Sequence, residues 1–127
     1  MIGAVLVTGD AAPKLLSRPH LAELPKGAVL VDVAIDQGGC FETSHPTTHG
    51  DPTFVEEGVI HYCVANIPSA AARTATLALS HATLPYVQAL AKWGLKALDR
   101  DPGLAEGLNV HQGRLTHEAV ARALGKL

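Results

Sequence analysis

Residues 28–39 read AVLVDVAIDQGG, and this stretch decides the fold. Ala28 to Ile35 is a near-continuous apolar run without clean alternation, the pattern of a strand buried on both faces of a parallel sheet. It ends in a carboxylate (Asp36), an amide (Gln37) and the pair Gly38-Gly39. Upstream, Gly3 to Val7 is a shorter run ended by Gly9, and downstream Val59 to Ala65 (VIHYCVA) is a third. Between the first two, Ser17 suits a helix cap, Pro19 its first turn, and Leu21 and Leu24 share a face before Pro25, Lys26 and Gly27 stop it. Strand, helix, strand is a βαβ unit, which is right-handed.

The remainder is less regular. Gln37 to Gly58 has no clear period and holds Gly38, Gly39, Pro46, Gly50 and Pro52, so it reads as a functional loop, or one hiding a short helix in Asp51 to Glu57. The second half reads as helical. Pro68 and Ser69 open a stretch to about Leu98, with Pro85 expected to break or kink it and Thr83 suited to cap a new helix from near Leu84. The run TATLALSHATLPYVQALAKWGLKAL is apolar on nearly every side and must be buried on several. Three strands cannot cover it, so a missing domain or another subunit should. Asp99 to Pro102 and Gln112-Gly113 read as turns, and a last helix should start at Thr116 and end at Gly125.

Composition excludes several classes. A chain of 127 residues is about one domain, and 47% hydrophobic with 17% charged residues is not a disordered chain. A net charge of −2 gives no pull toward nucleic acid or anionic membrane. With 4% aromatic residues, a stacking platform for single strands is not expected. No apolar run reaches the ~20 residues of a membrane span. Met1 to Val7 lacks the basic leader and cleavage site of a signal peptide, and Cys40 and Cys63 do not make a disulfide scaffold, so the expected location is the cytoplasm.

Ligands of open parallel sheets bind beyond the carboxyl ends of the strands. Asp36 lies at one such end and Asn66, in VANIPS, at the next; strands about 4.8 Å apart would bring them to one crevice. The plainer alternative is two turn residues bonding their own backbone. Asp32, inside the strand, reads as strand-edge or loop-facing rather than catalytic. His45 and His49 in SHPTTH, with Cys40, His61 and Cys63, invite a zinc reading. Pro46 excludes a helix that would align the two histidines and no C-x-x-C occurs, so no metal is expected. His20, His81, His111 and His117 read as solvent-facing or helix-flanking. Cys40 as a nucleophile would need a nearby cation or helix N-terminus, and neither is visible. The twelve glycines contain no G-x-G, so the dinucleotide fingerprint is absent. The predicted class is therefore α/β: half of a Rossmann-type parallel sheet, about three strands, followed by C-terminal helices.

The segments VDVAIDQGGCFETSHPTTHGDPT and YCVANIPSAAARTAT, with GAVLV, APKLL, ATLPYVQALAKWG, GLNVHQG and THEAVARALG, resemble the C-terminal part of bacterial alanine dehydrogenase, in the alanine dehydrogenase and pyridine nucleotide transhydrogenase family. The resemblance covers nearly the whole chain. It implies residues 1–70 as the C-terminal half of an NAD-binding domain and residues 71–127 as a helical segment packing against an N-terminal substrate domain. It also implies NAD as cofactor, L-alanine and pyruvate as substrates, and a cytoplasmic homo-oligomer, the family hexamer. Asp36 looks like the active-site aspartate beside the nicotinamide. Val5, Leu6, Val33, Ala34 and Ile35 look like cofactor-pocket residues, and Val64, Ala65, Asn66 and Ile67 like the segment closing over the nicotinamide end. The family's catalytic histidine, substrate-binding cations, glycine fingerprint and ribose-binding carboxylate precede this segment. Members also read VPGAKAP where this chain has VTGDAAP, and Met1 stands where theirs runs on. A truncated product, inactive alone, is thus expected. The alternatives are an interaction or oligomerisation module without catalysis and a transhydrogenase-like NAD-binding fragment.

Overall fold

The structure is a computed structural model that describes residues 1–126. The chain divides into two compact units, Met1–Ala70 and Ala71–Leu127.

The first unit is built on a four-stranded sheet. Strands β1 (Ile2–Gly3), β2 (Val29–Asp32), β3 (Thr53–Glu56) and β4 (Val59–Tyr62) lie in the order β1-β2-β4-β3. The β1–β2 and β2–β4 pairs are parallel, and β3 adds an antiparallel edge. Helix α1 (Arg18–Ala22) connects β1 to β2; the Ser17 N–H donates to His20 Nδ1 at 3.2 Å and Pro19 sits in the first turn. The α/β class with parallel central strands is therefore as the sequence implies.

Three details differ from the sequence reading. First, β1 is two residues long rather than Gly3 to Val7, because its partner β2 stops at Asp32 and the chain beyond Gly3 runs past the sheet edge. Second, the irregular stretch contains no helix at Asp51 to Glu57. Strand β3 occupies that region and turns into β4 through Glu57-Gly58, both at positive φ (53° and 78°). Two left-handed residues match the right-handed twist of a hairpin. Third, the strands are covered on one face only. Leu30, Asp32, Val59 and His61 are buried, whereas Val29 and Val33 are exposed and Val31, Ile60 and Tyr62 half-buried.

Leu21, Leu30, Phe41 and Val59 form the core with Ala12, Ala34 and Cys40. Each large side chain contributes about 1.5–3 kcal/mol of burial. Gly3 lies where β1 passes directly over this cluster. A methyl there would overlap Cys40 Sγ and approach Phe41 Cζ to 2.7 Å. Gly3→Ala is expected to cost about 1–3 kcal/mol, as overpacking does, and to lower the urea midpoint of the chain. An unchanged midpoint would show that the core yields freely at this point.

In the second unit α2 (Ala72–Trp93) runs unbroken through Pro85. Thr83 does not cap a new helix; its hydroxyl donates to the Leu79 carbonyl at 2.8 Å within the same helix. Proline removes one backbone donor, and the helix formers on either side carry the turn across it. No residue of α2 is buried, and Leu77, Leu79, Leu84, Val87 and Leu90 are exposed. Helix α3 (Pro102–Glu106) is capped by the Asp101 carboxylate, which accepts from the Leu104 N–H at 3.1 Å. Strands β5 (Val110–His111) and β6 (Arg114–Leu115) form a hairpin whose turn is Gln112-Gly113, at φ of 49° and 76°. Helix α4 (Glu118–Ala123) starts two residues later than Thr116, with His117 as its cap, and Gly125 follows at φ 61°. No described helix is long and apolar enough to cross a membrane.

Candidate functional site

At the carboxyl edge of the sheet the chain reverses sharply after β2. The Val33 N–H still pairs with the Gly3 carbonyl at 2.8 Å, and Ile35–Gln37 then forms a 3₁₀ turn. Gly38 and Gly39 follow at φ of 87° and 75°. Two consecutive left-handed residues close this reversal, a conformation glycine adopts without penalty. Between this turn and the segment after β1 lies a cleft of ≈ 250 Å³, lined by Ala4, Val5, Leu6, Val33, Ala34, Asp36 and Gln37. Its walls are mostly aliphatic, with one carboxylate and one amide at the lip. The Asp36 side chain is on an exposed residue. Gln37 donates its Nε2 to the Val7 carbonyl at 3.3 Å, while its Oε1 is buried and has no donor among the described residues.

Asp32 holds this turn from below. It is fully buried at the end of β2. Its Oδ1 accepts from the Ala34 N–H at 3.0 Å and the Cys40 thiol at 3.4 Å. Its Oδ2 accepts from the Cys40 N–H at 2.8 Å and the Ser44 hydroxyl at 2.6 Å. The expectation of a strand-edge or loop-facing Asp32 is thus corrected. The 40–44 segment folds back over the strand end and encloses the carboxylate, supplying the donors that offset its burial. Burial, then the Asp32 charge, pushes the Cys40 thiol up to about 11, so this cysteine is a packed group rather than a nucleophile.

The segment after β4 is organised by a different loop. Thr47 pairs with it, its N–H donating to the Cys63 carbonyl at 2.9 Å and its carbonyl accepting from the Ala65 N–H at 3.2 Å. Asn66 is exposed at φ 57°, its carbonyl accepting from the Ser69 N–H at 3.0 Å and meeting His49 Nε2 at 3.2 Å. His45 stacks on Phe54 at 3.8 Å, and Phe54 on His61 at 4.7 Å. His61 bonds Thr43 Oγ1 at 2.8 Å and the Val59 carbonyl at 3.1 Å, and it is buried. These histidines are thus engaged in stacking and loop closure. No group of three or more metal-ligating side chains occurs among the described residues.

Of the residues singled out in the sequence, the cleft gathers Val5, Leu6, Val33, Ala34 and Asp36. Ile35 is buried behind the turn. Val64 is buried, Ala65 and Ile67 are half-buried and Asn66 is exposed; all four lie beyond β4 and outside the cleft lining. Ala4 and Gln37 also line the cleft, although the sequence does not place them there. Gln37 stands inside the quoted motif, whereas nothing in the pattern marks Ala4.

The family description "Alanine dehydrogenase/PNT, C-terminal domain" matches residues 1–118. The chain is 64% identical to an alanine dehydrogenase of Halomonas elongata over 126 residues, covering 98% of this chain and 34% of that protein. It is 54% identical to an alanine dehydrogenase of Mycobacterium tuberculosis over 126 residues, with the same coverage, 98% and 34%. A solved L-alanine dehydrogenase superposes with a TM-score of 0.75 at 53% identity, covering 98% of this chain and 34% of that one. A transhydrogenase from Sinorhizobium meliloti superposes with a TM-score of 0.62 at 22% identity, covering 93% of this chain and 31% of that one, a likeness of fold. This chain belongs to the alanine dehydrogenase/PNT C-terminal domain family. It spans about a third of the length of the relatives it matches.

Proposed function

We propose that this chain forms the C-terminal part of an NAD-dependent L-alanine dehydrogenase, which converts L-alanine, NAD and water to pyruvate, ammonium and NADH. The observation that carries the reading is the cleft at the carboxyl edge of a parallel sheet, with Asp36 at its lip. Its aliphatic walls suit the flat face of a nicotinamide ring, and its ≈ 250 Å³ suits one ring rather than a whole dinucleotide. NAD, when bound, supplies the hydride acceptor. The chain's own part is narrower. Val5, Leu6, Val33 and Ala34 wall the ring site and exclude water, and the Asp36 carboxylate stabilises positive charge on the amino-bearing carbon and orients the water or ammonia that attacks it. Ile35 supports the turn from the core. Val64, which is buried, would support its segment from within, and Ala65, Asn66 and Ile67 would close over the ring from the neighbouring strand end.

In this reading the catalytic histidine, the substrate-gripping cations and the pyrophosphate turn come from outside this chain. The domain division at 70 and 71 separates the half NAD-binding domain from helices that pack against the substrate domain or against further copies in a cytoplasmic homo-oligomer. The exposed leucines of α2 are what such covers would bury. The pure 127-residue chain is expected to form no NADH from L-alanine, followed at 340 nm. A fusion of this chain to the preceding two thirds of the Halomonas elongata enzyme is expected to form it. A well-folded fusion without alanine-dependent NADH formation would sink the proposal. Turnover by the isolated chain would refute the assignment of the missing groups.

A further inference from the structure

We propose that Lys14 is a positioning residue for this reaction, acting on Asp36 through the Gly38-Gly39 turn; the inference rests on the reading of Asp36 given above. Lys14 Nζ donates to the Gly38 carbonyl at 2.6 Å and to the Gly39 carbonyl at 2.7 Å. The left-handed φ values at both glycines turn two consecutive carbonyl oxygens toward one point, and an ammonium with three donors fits between them. The N–H groups of the same two glycines close the turn that bears Asp36, Gly38 donating to the Ile35 carbonyl at 3.0 Å and Gly39 to the Ala34 carbonyl at 3.1 Å, so a cation fixing their carbonyls fixes the residues that shut the turn.

The neighbouring backbone aligns the lysine for this task. The Ala12 N–H donates to the Gln37 carbonyl at 2.9 Å and the Leu15 N–H to the Cys40 carbonyl at 2.7 Å. Lys14 therefore lies on a segment already stitched to both ends of the turn. Asp32 holds the inner side through the Ala34 and Cys40 amides, and Gly39 is seated so closely that a methyl there would come within 2.7 Å of Ser44 Cβ and 2.8 Å of Asp32 Oδ2. The carbonyls of Gly38 and Gly39 are the part of the turn that Asp32 does not reach, and Lys14 takes both. An exposed lysine serving solubility alone has no reason to make two short bonds to adjacent carbonyls. Asp36 is itself exposed, so its aim depends on the turn rather than on packing of its own side chain.

The test is a double-mutant cycle in the fusion enzyme. Lys14→Met is expected to lower kcat about 10–100-fold, as misplacement of a reacting group by an ångström does, with the KM for L-alanine within about threefold. Lys14→Arg, which keeps the charge, should recover part of that loss. In the Asp36→Asn background Lys14→Met should cost less than about twofold more, because two groups acting as one are not additive. Equal losses in both backgrounds, or an unchanged kcat, would overturn the role of Lys14 while leaving that of Asp36 standing. Full turnover by Asp36→Asn would overturn the reading of Asp36, and this inference with it. If the fusion does not fold, amide exchange of the 127-residue chain decides. Lys14→Met should speed exchange at Gly38 and Gly39 about 10-fold, and unchanged rates would overturn the proposal.

Discussion

Asp36→Asn in the fusion enzyme is expected to lower kcat for L-alanine oxidation about 10²–10³-fold, the effect of deleting one preorganised charge partner of a transition state. The substitution keeps the shape of the side chain and removes its charge. Because Asp36 is exposed, the expected change in stability is within about 0.5 kcal/mol, so the loss can be assigned to chemistry. The urea midpoint of the 127-residue chain should therefore not move. Oxidation of an amine at carbon passes through a cationic carbon–nitrogen unit, and a carboxylate at the lip of an aliphatic cleft meets that charge where water is partly excluded. Asp36→Glu, which moves the carboxylate outward by one methylene, should retain more activity than the amide. Asp10→Asn, at a half-exposed acid in the segment after β1, serves as the comparison and should stay within about twofold of the parent. Turnover of Asp36→Asn above about a tenth of the parent value would remove Asp36 from the reaction.

Asp36 is legible in the sequence through its place after a buried strand, since strand ends of parallel sheets are where backbone and side chains converge on a ligand. The same reasoning locates β2, β4 and α1, because apolar runs and the Ser17-Arg18-Pro19 entry are local signals. Gln112-Gly113 is likewise readable as a turn. Glu57-Gly58 is not, although it has the same backbone, because the strand before it is only TFVE, running from Pro52 into a charged pair with no apolar run to mark it; β3 is therefore hidden in an apparent loop. Pro85 misleads in the opposite direction, because the helix runs on through it with Ala82, Leu84, Gln88 and Ala89 as good helix formers on either side. The cleft is half legible. Val5, Leu6, Val33 and Ala34 come from the family resemblance rather than from the residue pattern, whereas Lys14 and Asp32 act through backbone groups that come near them only after the turn has closed.

Asp32 carries the largest expected effect on stability. Asp32→Ala would leave the Ala34 and Cys40 amides and the Ser44 hydroxyl without their shared acceptor in a fully buried position. Each buried donor left without an acceptor costs about 1–3 kcal/mol, so losing the acceptor of all three removes a large share of the 5–15 kcal/mol that typically holds a domain together. Asp32→Asn is the sharper experiment. Each carboxylate oxygen accepts from two donors, so the amide nitrogen must face a pair of donors whichever way it is turned. It should therefore cost more than about 2 kcal/mol despite its near-identical volume, lowering the urea midpoint by roughly 1 M or more at the usual slope for small proteins. Ser44→Ala removes one donor and leaves the carboxylate three partners, and should cost only about 1 kcal/mol. The order Asp32→Ala, Asp32→Asn, Ser44→Ala is the signature of a carboxylate acting as the common acceptor for the turn. An Asp32→Asn variant as stable as the parent would mean that volume rather than charge fills this position, and that the turn bearing Asp36 is held by Lys14 and the backbone alone.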